Sequence, residues 1–181
     1  HGADLNKADK DGQTPALWAA HGGHLPCLEF LARHGADLNK ADKDGQTPAH
    51  YVAKKGPLPC LEFLASHGAD LNKADKDGQT PALWAAHGGH LPCLEFLARH
   101  GADLNKADKD GQTPALWAAH GGHLPCLEFL ARHGADLNKA DKDGQTPAHY
   151  VASGGRLPCL EFLASHGADL NKAGMNGCTP A

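Results

Sequence analysis

No apolar run in this 181-residue sequence approaches the ~18 residues needed to span a bilayer, and no signal-peptide pattern precedes His1. Basic residues are not in excess. Seventeen Lys and Arg stand interleaved with 21 Asp and Glu for a net charge of −4, which argues against a nucleic-acid footprint or a basic membrane-binding face. An initiator methionine is missing too. His1 to Ala8 reads as the end of a repeated unit and Gly174 to Ala181 as the start of one, so the expectation is a segment cut from a longer array. There is also no singular cluster of reactive residues: every Glu, Asp and His recurs in several copies.

What is present is repetition. The stretch Asp75 to Ala107, DKDGQTPALWAAHGGHLPCLEFLARHGADLNKA, returns unchanged at Asp9 to Ala41 and Asp108 to Ala140. Asp42 to Ala74 and Asp141 to Ala173 form a second type, with TPAHYVA and a serine, Ser66 or Ser165, in place of arginine. These two differ from each other only at Lys54/Ser153, Lys55/Gly154 and Pro57/Arg156. The expected organisation is one solenoid domain: 1–8 the end of an incomplete repeat, then repeats at 9–41, 42–74, 75–107, 108–140 and 141–173, and 174–181 the start of a truncated repeat. A period of this length marks stacked units, none of which buries its own apolar face.

Within a unit, Asp9-Lys10-Asp11-Gly12 predicts a turn, a hairpin-like tip braced by Asp side chains. Thr14-Pro15 opens a short helix with a hydroxyl cap and a proline where no useful donor is lost, and Gly22-Gly23 stops it. Leu25-Pro26 opens a second helix whose Cys27, Leu28, Phe30 and Leu31 share an apolar face, while Glu29 and Arg33 face solvent as a weak pair. Gly35 ends it. Both helices fall short of the roughly 12–15 residues that are marginally stable alone, so stacking must stabilise them. The fold class that follows is an all-α-dominated solenoid of helix-turn-helix units with hairpin tips. Trp18, Trp84 and Trp117 are expected in its core, as are Cys27, Cys60, Cys93, Cys126 and Cys159, with Cys178 apart. Neighbouring units stand roughly 8–10 Å apart, too far for a disulfide. Six free thiols suit a reducing compartment, cytosol or nucleus.

The run Asp-x-x-Gly-x-Thr-Pro, a short Ala-Ala helix, Gly-His-Leu, an amphipathic helix and Gly-Ala-Asp-Leu-Asn resembles the ankyrin repeat over the whole chain. The resemblance implies a non-enzymatic scaffold that binds another protein with its tips and the first helices of a concave face. Candidate partner-binding residues are therefore Lys10, Asp11, Gln13 and His21; Lys43, Asp44, Gln46, Lys54 and Lys55; Lys76, Asp77, Gln79 and His87; Lys109, Asp110, Gln112 and His120; and Lys142, Asp143, Gln145 and Ser153. The family's histidine after Thr-Pro survives only as His50 and His149; where Leu17, Leu83 or Leu116 replaces it, a polar link to neighbouring backbone is exchanged for apolar packing. The family also resembles targets of asparagine hydroxylases, which makes Asn39, Asn72, Asn105, Asn138 and Asn171 candidates, against the plainer reading that these side chains bond turn backbone. The alternative function is a structural spacer, or an array that associates weakly end to end. Near-identity of the units favours it, because partner recognition uses different residues in different repeats.

Other chemistry is set aside. His21, His24 and Cys27, with the sets at His87, His90, Cys93 and His120, His123, Cys126, have zinc-ligand types. Two repeats keep the cysteine without either histidine, so a loop brace and a core thiol are preferred. Asp9-Lys10-Asp11-Gly12 fails as a calcium loop, because Lys7 and Trp18 would fall at ligand positions. No cofactor, metal or catalytic residue is assigned.

Overall fold

A computed structural model describes residues 4–181; the first three residues of the expected repeat end at 1–8 lie outside them. Among the described residues ten helices run in five pairs: α1 (Pro15–Gly22) with α2 (Leu25–Arg33), α3 (Pro48–Lys55) with α4 (Leu58–Ser66), α5 (Pro81–Gly88) with α6 (Leu91–Arg99), α7 (Pro114–Gly121) with α8 (Leu124–Arg132), and α9 (Pro147–Ser153) with α10 (Leu157–Ser165). No strand occurs among the described residues. Odd helices pack on odd and even on even, so two helical layers run the length of the stack. The odd layer packs closely because alanines such as Ala82, Ala85 and Ala86 face its junctions.

Each odd helix starts as its sequence dictates. The Thr14 hydroxyl accepts from the Leu17 N–H at 3.3 Å, and Thr113 repeats this with Leu116. In the second repeat type His50 completes the cap: its Nδ1 accepts from the Thr47 N–H at 3.0 Å and meets the Thr47 hydroxyl at 2.8 Å. Its Nε2–H then donates to the Gln79 carbonyl of the next repeat at 3.2 Å. Where leucine stands instead, it is wholly buried, as Leu17 and Leu116 are. The exchange of polar tie for apolar packing is therefore realised.

Burial of the cysteines corrects one expectation. Cys60, Cys93, Cys126 and Cys159 are buried, but Cys27 is exposed together with Cys178. Among the described residues no helix packs on the side of α2 that Cys27 faces, whereas α4 covers the equivalent side of α6. Removal from water pushes the Cys93 and Cys126 thiols up to about 11. A thiol reagent at mildly alkaline pH is expected to label Cys27 and Cys178 rapidly and the other four slowly, as read by intact mass. Equal rates for all six would refute this register.

The tryptophans give a second correction. Trp18 is 58% exposed, and Trp84 and Trp117 are half-buried rather than core residues. The core is made instead by Leu28, Leu61, Leu94, Leu127 and Leu163 of the even helices and the alanines of the odd ones.

Candidate interaction face

Most of the candidate residues stand at the tips and along the odd helices. At each tip the Asp42-type carboxylate folds the turn: Asp42 Oδ1 accepts from the Asp44 and Gln46 N–H groups, each at 2.9 Å. Consecutive tips are then joined through backbone, Lys43 N–H to Asp11 O at 3.1 Å and Lys76 N–H to Asp44 O at 2.8 Å, and so on to Met175 N–H on Asp143 O. With the backbone so occupied, the Lys and Asp side chains at 10/11, 43/44, 76/77, 109/110 and 142/143 all stand exposed. The single ion pair among the described residues is Arg33–Glu29, at 3.9 Å on α2.

The glutamines do something else. Gln13, Gln46, Gln79 and Gln112 donate across each junction to Asp42, Asp75, Asp108 and Asp141, at 2.9, 3.3, 3.4 and 3.0 Å. Tyr51 and Tyr150 join the same carboxylates. Burial first, then the bond to Asp42, pushes the Tyr51 phenol up to about 12. Gln145 is half-buried at the last tip. These amides hold repeats together instead of reaching outward.

Along the odd helices lies a ladder that residue-by-residue reading did not find. His21 sits edge-on between Trp18 and Tyr51, with ring centroids 6.2 and 5.6 Å away. His87 lies between Trp84 and Trp117 at 5.7 and 4.6 Å, and His120 between Trp117 and Tyr150 at 6.0 and 5.5 Å. Lys54 fills the remaining rung, its Nζ 4.1 Å from the Trp84 centroid. The signal was the aromatic and the basic residue three apart, on one helical face, combined with a 33-residue period that brings the next aromatic alongside. His21, His120, Lys54, Lys55 and Ser153 are exposed and His87 is half-buried.

In two of the three candidate zinc sets the second histidine is a brace. His90 Nε2–H donates to the Lys54 carbonyl at 3.1 Å and His123 Nε2–H to that of His87 at 3.0 Å. Among the described residues no three His, Cys, Asp or Glu side chains gather as a metal site. The asparagines are likewise engaged: Asn39 donates to the Gly68 carbonyl at 3.0 Å and accepts from the Asp70 N–H at 2.8 Å, and Asn138 repeats this with Gly167 and Asp169. The turn-bonding reading of these side chains therefore holds at Asn39 and Asn138.

Acid should loosen this structure. Burial lowers the pKa of His50 below 6.5, and burial followed by the charges of His120, Lys54 and His123 lowers that of His87. A folded state that binds these protons more weakly than the unfolded chain has their full contribution above the unfolded value and loses it as pH falls through the folded one. The thermal midpoint is expected to fall as the pH drops below about 6.5. Substituting His50→Leu, the residue its sister repeats carry, should flatten the slope; an unchanged slope would clear His50 of responsibility.

No described helix is long and apolar enough to cross a membrane. No curated protein matches the chain. A family model described as ankyrin repeats in three copies matches residues 1–75 and again 67–141, and a single ankyrin repeat matches residues 143–174. With nearly the whole sequence matched and ten helices stacked as pairs behind bonded tips, the chain belongs to the ankyrin repeat family.

Proposed function

We propose that this array is a non-enzymatic protein-interaction scaffold that holds a partner protein along the face shared by its tips and odd helices. Ankyrin repeats are in general protein-interaction modules, and in general non-enzymatic. One observation carries the reading furthest. The tip side chains form an exposed, unpaired Lys and Asp ladder on a backbone fixed from tip to tip by N–H···O bonds. Such a ladder is preorganised, so little ordering entropy is lost when a partner with its own charge spacing docks. The free thiols suit a reducing compartment, and residence in cytosol or nucleus belongs to the same proposal. The test is capture from cell extract by the intact array, compared with a version carrying Lys10, Lys43, Lys76, Lys109 and Lys142 all as alanine. Loss of specific partners supports the tip face; unchanged capture moves the site elsewhere.

Exposure of Trp18 (58%) and Phe30 (54%) at one end and Leu157 (59%) at the other favours a second reading, weak end-to-end association. Residues 174–181 oppose it by occupying the next tip position, where Met175 bonds Asp143 and the Cys178 carbonyl accepts from His149. A sedimentation coefficient independent of concentration would rule association out.

A further inference from the structure

The rim where the odd helices pass into their partners carries no acid, and in the second and fifth repeats it carries permanent positive charge. From Thr14 to Cys27, and in every equivalent stretch as far as Thr146 to Cys159, the sequence holds no Asp or Glu. The acids of each repeat lie at the tips, on the even helices, or in the return segments that follow those helices, as Asp37 does. The permanent cations of this rim sit at equivalent junctions by different routes. Between α1 and α3, Lys55 and His21 line an open notch of about 550 Å³ with Gly22, Gly23 and Pro57. Between α7 and α9 the lysine has become Gly154, but Arg156 replaces the proline, and its Cδ lies 2.7 Å from where a β-carbon on Gly122 would stand. Both junctions therefore carry a cation beside a glycine turn. Lys54 stands between them on the Trp84 ring. None of the three has an ion-pair partner among the described residues.

We infer that this acid-free rim is a docking strip for an extended acidic segment of a partner protein, held at Lys55 and Arg156 and crossing Lys54 and the aromatic rungs between. The inference rests on the interaction-scaffold reading and assigns a class of partner to it. Charge complementarity selects the occupant: carboxylates meet uncompensated cations. The Lys55 and Arg156 junctions are three repeats apart, roughly 30 Å at 8–10 Å per repeat, a span that about nine extended residues cover. A continuous polyanion such as nucleic acid fits worse, because the Asp row of the tips and the net charge of −4 repel it.

The experiment uses the 181-residue chain and a fluorescein-labelled, Glu-rich peptide of about twelve residues. Fluorescence anisotropy at low salt should show binding that weakens at physiological salt. It should also weaken roughly tenfold in the Lys55→Ala/Arg156→Ala variant, whose thermal midpoint serves as the folding control. Lys55→Arg/Arg156→Lys should restore it. A peptide with Gln for Glu should not bind, an Arg99→Ala/Arg132→Ala variant that removes two exposed cations of the even helices should bind as the parent does, and the five-lysine tip variant reads whether the tips share in the binding. The inference is overturned by absence of binding to the parent, by equal binding to the Lys55→Ala/Arg156→Ala variant, or by an oligonucleotide that binds as tightly as the peptide. Loss of binding in the tip variant alone would overturn the rim assignment while leaving the scaffold reading intact.

Discussion

Replacing Leu94 by alanine is expected to destabilise the array by about 2–5 kcal/mol and to split its unfolding into two transitions. Leu94 is wholly buried in α6, where the even layer receives α4 on one side and α8 on the other. Removing three carbons there loses their transfer free energy and leaves a cavity that two neighbouring repeats must share. The position in the stack matters as much as the cavity. In an array whose repeats touch only their neighbours, a weak central unit uncouples the halves, whereas Leu163→Ala in α10 should fray only the last repeat and keep one main transition. Urea titrations followed by circular dichroism decide between them. A loss under about 1 kcal/mol, or a single unchanged transition for Leu94→Ala, would mean that the central junction does not carry the coupling assigned to it.

Gly89→Ala is expected to cost about 2–4 kcal/mol, against about 1 kcal/mol for Gly101→Ala. Both glycines have left-handed backbone, φ 70° and 82°, so both variants carry the same strain. Only Gly89 is crowded: a β-carbon there would stand 2.4 Å from His123 Nδ1, while none at Gly101 would meet anything within 4 Å. To admit the methyl, the His123 ring must leave, and its bond to the His87 carbonyl goes with it. The Gly89→Ala/His123→Ala double variant isolates that contact. Its added cost over His123→Ala should fall to that of Gly101→Ala, and a double variant that stays fully additive would rule out the ring contact as the cause.

Most of the architecture was written locally. Thr before Pro begins each odd helix, glycine ends it, and a 33-residue period requires the pairs to stack, because helices of seven to nine residues have no stability of their own. The tip charges could be placed outward for the same reason: a turn folded by one aspartate leaves its neighbours in solvent. The absence of disulfides followed from spacing alone. Cys27 and Cys93, by contrast, lie in identical 33-residue sequences, yet one is exposed and the other buried. Nothing in the local sequence distinguishes them; only the presence of a covering helix does. Likewise Trp18 and its equivalents are apolar residues on a short Ala-rich helix, and whether such a position faces the next repeat or the solvent depends on the angle at which helices meet. Gln13 reads as a surface amide until the next repeat brings Asp42 to 2.9 Å. The histidine and aromatic ladder, the cationic notch at Lys55 and the inward turn of the glutamines all join residues 29 to 38 apart, so they arise only when stacking sets one repeat against the next.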